Sequence, residues 1–104
     1  TISASVGRNG VNRHDDVVTI QEMLNIIPAY QGGPVEDLVV DGKSGEKTVS
    51  AIMKFQRFVG IGADGRVDPS GATLAALNTV RAMASAERAR GKKAGASKKE
   101  QMVL

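Results

Sequence analysis

Two segments repeat one run of residue types: Asp41-Gly42-Lys43 and Asp64-Gly65-Arg66. In each, a carboxylate, a glycine and a cation precede small residues and then a Thr (Thr48 or Thr73) that enters an apolar helical run. An Asp bonds its own backbone two residues on and Gly supplies positive φ, so a tight turn explains most of each pair. What is left over is anion recognition. Both turns lie near helix starts, where free N–H groups attract carboxylates. Lys43 and Arg66 place a cation beside each start. Arg66 is the sharper candidate, because its planar fork can hold a carboxylate through two bonds. With Arg57 on the polar face of the intervening helix, the candidate ligand-binding set is Asp41, Lys43, Arg57, Asp64 and Arg66.

Other chemistry is poorly supplied. Gln21 and Gln56 each sit beside an apolar stripe, where an amide is suited to bonding the backbone of a neighbouring loop. His14, the single histidine, has Asp15 and Asp16 beside it but no spaced set of three or four ligands, so no metal site is expected. No Ser stands in a Gly-x-Ser-x-Gly context. Asp41 and Asp64 occupy turns that keep them solvated, unlike a glycosidase pair with one raised pKa. Gly60-x-Gly62 has no βαβ surroundings and is no dinucleotide loop. The expectation is a chain without catalytic residues or cofactor.

The positions that hold these residues follow from spacing. Asp15 or Asp16 is the expected N-cap of a first helix carrying Val17, Ile20, Leu24 and Ile27, with Met23 alongside and Pro28 as its end. Ile2, Val6 and Val11 are expected to anchor the lead-in to the core. Gly32-Gly33-Pro34 marks a loop, and Leu38-Val39-Val40 reads as a short extended run. Ser44 is the expected cap of a second helix with the stripe Thr48, Ile52, Phe55 and Val59, beside Ala51. Gly60 suits a left-handed stop, with Ile61 as the returning apolar contact. Asp68 before Pro69 reads as the cap of a third helix with the stripe Leu74, Leu77, Val80 and Ala84.

The chain has 104 residues, no Cys and three aromatics, so one small aliphatic core is expected and disulfides are excluded. The net charge of +3 is unevenly spread. Residues 1–84 carry eight Lys/Arg against nine Asp/Glu, or −1, and residues 85–104 carry six against two, or +4. The folded part is therefore not a nucleic-acid surface. The tail, rich in Ala, Lys, Gly and Ser, reads as a basic helical extension or linker. No apolar run approaches the roughly 18 residues of a membrane span, and no signal peptide is read.

The ordered set of motifs resembles the peptidoglycan-binding domain family. Val17-x-x-Ile20-Gln21-x-x-Leu24 is similar to its opening helix. Asp41-Gly42-x-x-Gly45-x-x-Thr48-x-x-Ala51-Ile52-x-x-Phe55-Gln56 is similar to its central signature. Gly60-Ile61-x-x-Asp64-Gly65 with Thr73-x-x-Ala76-Leu77 is similar to its closing repeat. Ser44 and Leu74 stand where the family often has aromatics, and the loop from Pro28 to Val40 is longer than usual.

The resemblance implies an all-α fold, a small three-helix bundle with two repeats packed around the central helix. It implies non-catalytic binding of cell-wall peptidoglycan in the periplasm or outside the cell. The domain is expected over 1–84, with the extension over 85–104. An attached hydrolase or secreted effector domain would be the cargo. The ligand would lie in a groove between the turns, at Arg66, Lys43 and the edge of the second helix. A protein-docking module of a secretion or phage machine is the alternative. A cell-wall hydrolase would need a catalytic domain outside these residues.

Overall fold

The computed structural model describes residues 2–84. Three helices surround one aliphatic core: α1 (His14–Ile26), α2 (Glu46–Val59) and α3 (72–84). A two-residue ribbon joins β1 (Val6–Gly7) to β2 (Arg66–Val67), antiparallel, with Val6 opposite Val67. A single 3-10 turn, Ala29–Gln31, follows α1.

The apolar stripes pack as their spacing predicts. Val17, Ile20 and Leu24 from α1 with Ile27 just after it, Ala51, Ile52 and Phe55 from α2, and Leu74 and Leu77 from α3 are buried in one cluster, with Val59 and Val80 against it. Each fully buried Val, Leu, Ile or Phe contributes about 1.5–3 kcal/mol. Pro28 ends α1 by forcing Ile27 to extended geometry. Gly60, at φ 81°, closes α2: its N–H bonds Arg57 O and the Ile61 N–H bonds Gln56 O, the paired return bonds of a Schellman end.

The helix starts differ from the sequence expectation. Arg13 precedes α1 and Gly45 precedes α2, and neither start has a side-chain cap. Asp16 lies within the first turn of α1, where its carboxylate accepts from Ser3 N (3.0 Å), Ser3 Oγ (2.9 Å) and Ala4 N (3.0 Å). It ties the lead-in to the helix instead of capping it. Ser44 Oγ is buried without a hydrogen-bond partner. Asp68 sits before a turn closed by Gly71 N to Asp68 O, and α3 begins only at 72. Ile2 and Val6 anchor the lead-in as expected, but Val11 is exposed. Asn9 and Asn12 take positive φ and turn the chain back before α1, and Val11 lies between them. Leu38-Val39-Val40 forms no strand, and of the three only Leu38 is buried. The expected basic helical extension or linker over 85–104 lies outside the described residues.

Candidate functional site

Each Asp-Gly turn is locked to the helix before it by a buried glutamine. Gln21, on α1, sends Nε2 to Asp41 Oδ1 (3.1 Å), Lys43 O (3.1 Å) and Thr48 Oγ1 (3.0 Å). Its Oε1 accepts from Asp41 N (3.1 Å) and Gly42 N (3.0 Å). Gln56, on α2, repeats the pattern, with Nε2 to Asp64 Oδ1 (2.8 Å), Arg66 O (3.1 Å) and Thr73 Oγ1 (3.0 Å) and Oε1 accepting from Gly65 N (2.9 Å). An amide has two N–H groups, so three acceptors at such distances share them. The partners also fix the amide's orientation, since a flipped group would turn its N–H₂ against the Gly65 N–H. The locks differ in one bond: Asp64 N is taken by Gly62 O, whereas Asp41 N belongs to Gln21.

The same Asp oxygens also close the turns. Lys43 N donates to Asp41 Oδ1 (2.9 Å) and Arg66 N to Asp64 Oδ1 (3.0 Å). Donors favour the ionised form, so both carboxyls are held below their ordinary range. For Asp41 the Lys43 amide is the chief cause, followed by Gln21. For Asp64 it is the Gln56 amide, followed by the Arg66 N–H. Gly42 and Gly65 adopt φ of 74° and 72°. A Cβ on Gly42 would meet the His14 ring at 2.2 Å, so His14 covers this turn.

The five residues singled out from sequence are only partly brought together. Asp64 and Arg66 line a shallow depression of about 240 Å³ against the start of α3, with Gly71, Ala72 and Thr73. Arg66 Nε stands 3.1 Å from Asp68 Oδ1, both side chains partly exposed. That N–H is not aligned for a hydrogen bond. Asp41, Lys43 and Arg57 are exposed and line no described cleft. Lys43 precedes the first turn of α2 and Arg57 lies in its last, toward opposite ends of a helix about 21 Å long.

A larger cleft of about 630 Å³ lies elsewhere, between loop 34–39 and the face of α2 that carries Lys47, Val49, Ser50 and Lys54. Its outer wall is pinned at two points. Lys54 Nζ donates to Ala29 O (3.1 Å) and to Gly33 O. Asn25 grips Leu38 in both directions, Nδ2 to Leu38 O (2.9 Å) and Leu38 N to Oδ1 (2.7 Å). Pro34 to Asp37 form the arch between the pins.

A family model for the peptidoglycan binding domain matches residues 13–77, more than half of the chain. The chain belongs to this family. The match begins at the residue before α1 and ends inside α3, so it takes in both locks, α1, α2 and the first part of α3. No curated protein and no solved structure gives a significant match. In this member of the family the motif residues Gln21, Asp41, Gly42, Thr48, Gln56, Asp64, Gly65 and Thr73 are the parts of the two locks. Gln21 and Gln56 therefore have the backbone-bonding role that their placement beside the stripes indicated.

The sequence reading did not find the larger cleft. Its one signal was the length of the loop from Pro28 to Val40. The residues that shape it, Asn25 and Lys54, lie 13 and 21 positions from their loop partners Leu38 and Gly33. Among the described residues no helix is long and apolar enough to cross a membrane.

Proposed function

We propose that this domain binds the peptidoglycan of the bacterial cell wall without catalysis and holds an attached hydrolase or effector domain against it, outside the cytoplasm. The family match over 13–77 carries this reading. The chemistry of the turns supports the non-catalytic part. Asp41 and Asp64 are acceptors whose pKa values are depressed, the opposite of what a proton donor needs. In this reading they shape the turns that present the cations, and Lys43, Arg57 and Arg66 meet the carboxylates of wall peptides. Arg66 is the best placed, since its depression also opens onto the start of α3.

Purified sacculi test the proposal. The 104-residue chain should pellet with them at physiological salt above a carrier-protein control, and so should a chain ending at Ala84. If neither pellets, the wall reading is wrong and docking to a protein takes its place. If only the longer chain pellets and salt releases it, the basic tail is responsible. Arg66→Ala should weaken binding about fivefold, or ~1 kcal/mol for a partly exposed charge-assisted bond, with no change in thermal unfolding. Unchanged binding would remove Arg66 from the contact.

A further inference from the structure

We propose that the cleft between loop 34–39 and α2 is a second subsite, separate from the Arg66 depression, that takes the zwitterionic stem peptide of peptidoglycan and not its sugar strand. The inference rests on the wall-binding reading.

The two walls carry opposite charge. Glu36 and Asp37 stand on the loop, and Lys47 and Lys54 face them from α2, with Arg8 beside the helix. Glu46, in the first turn of α2, is the one acid on the helix side. These charges do not cancel one another within the protein. Among the described residues the side chains of Glu36, Asp37 and Lys47 make no hydrogen bond or ion pair. Among the described residues the Arg8 guanidinium bonds only a sulfur, with Nη2 3.5 Å from Met53 Sδ. Lys54 donates to two neutral carbonyls, which leaves its charge uncompensated and its third N–H free. An open cleft with one acidic and one basic wall suits a ligand that carries an amine and a carboxylate a few bonds apart.

The rest of the lining fits the same ligand. Val35, Leu38, Val39 and Val49 offer aliphatic contact for alanine methyl groups, and no aromatic ring lines the cleft on which a sugar face could stack. The volume of about 630 Å³ falls inside the range of roughly 300–1,000 Å³ usual for ligand sites. The pins at Gly33 and Leu38 hold the arch before any ligand arrives, which lowers the ordering cost of binding. In wall stem peptides the free amine belongs to the diamino residue and the carboxylates to D-Glu and the terminal D-Ala. The amine would face Glu36 and Asp37, and a carboxylate would face Lys47 and Lys54.

The test uses the full chain, labelled with ¹⁵N, titrated at low salt with N-acetyl-L-Ala-γ-D-Glu-L-Lys-D-Ala. Amides within 34–39 and 46–54 should shift. Acetylating the Lys amine of the probe should weaken binding roughly two- to fivefold, as expected for one exposed charge pair. The double variant Glu36→Gln, Asp37→Asn should lose the same factor for the free-amine probe and nothing for the acetylated one. The trimer of N-acetylglucosamine should leave these amides unmoved. Shifts confined to 61–73, indifference to acetylation, or a cleft response to the sugar trimer would each overturn the assignment. Sacculus pelleting of the same chain separates the two claims. If the chain does not pellet, the wall reading falls. If it pellets and the peptide leaves the cleft amides unmoved, only the cleft assignment falls.

Discussion

Replacing Gln56 with Met keeps the size of the side chain and deletes its polar end. Gln56 is 1% exposed, so water cannot easily replace what is lost. Four partners lose a bond: Asp64 Oδ1, Arg66 O, Thr73 Oγ1 and Gly65 N. Asp64 is exposed and returns to water, and Arg66 O is half-buried with its residue. Gly65 N–H and Thr73 Oγ1 are inside, and each stranded buried group costs about 1–3 kcal/mol. The added apolar surface of Met offsets part of this, which leaves a loss of about 2–4 kcal/mol. A domain of this size shifts by about 4–8 °C per kcal/mol, so the melting temperature should fall by roughly 8–32 °C. Urea unfolding should show a lower midpoint at unchanged slope. Gln21→Met should cost at least as much, because that amide is equally buried and makes the matching bonds and one more, from Asp41 N. Gln56→Glu should be worse than Met, since it sets a carboxylate against Asp64 Oδ1. A loss under ~0.5 kcal/mol for either Met variant, or a Glu variant as stable as wild type, would refute the reasoning.

Three further outcomes follow from the same geometry. Gly42→Ala should destabilise by at least the ~1–2 kcal/mol of a left-handed non-glycine residue, because the new Cβ also strikes the His14 ring, and His14→Ala in the same chain should recover part of the loss in urea unfolding. Asn25→Ala should release the arch, with faster amide exchange at Leu38 and its loop neighbours, while the core amides of α2 keep more of their protection. Asp16, Asp41 and Asp64 all have lowered pKa values, Asp16 chiefly through the Ser3 N–H. A depressed carboxyl stabilises fully above its unfolded pKa of about 4 and loses that contribution as pH falls through the folded value. The urea midpoint should therefore be level above pH ~5 and decline below pH ~4, and Asp16→Asn should flatten that decline.

The sequence displayed the parts of this domain that depend on period and on glycine. Ile20, Leu24, Ile52, Phe55, Leu74 and Leu77 recur at helical spacing because each helix buries one face, and Gly60 stands where only a left-handed residue ends the helix well. The helix starts were less legible. Asp16, Ser44 and Asp68 are all good cap residues by type, but Asp16 is drawn to the Ser3 and Ala4 amides and Asp68 to Arg66 and its own turn. Competition of this kind is settled by tertiary contacts that a local pattern does not contain. The ribbon between Val6–Gly7 and Arg66–Val67 is too short to show an alternation. Of the candidate contact residues, Asp41 and Asp64 were recognisable as turn residues, and closing the turns is what their carboxylates do. The larger cleft left almost no trace, because a cleft is made by two separated segments and by what holds them apart.

The helix α2 stands in both locks: Thr48, near its start, completes the first, and Gln56, eight positions later, begins the second. Each link of this kind needs a Gln from the earlier helix and a Thr from the later one. The rule is open-ended, and a further helix could be joined in tandem wherever the outgoing position offered an amide. Eight positions beyond Thr73 stands Arg81, and eight before Gln21 stands Arg13. Arg81 has no amide oxygen to receive the backbone N–H of another turn, and Arg13 has no hydroxyl to accept from an earlier amide. Within the described residues the rule is used twice, and an array grown from this domain by the same rule would first need those two arginines replaced, by Gln at 81 and by Thr at 13.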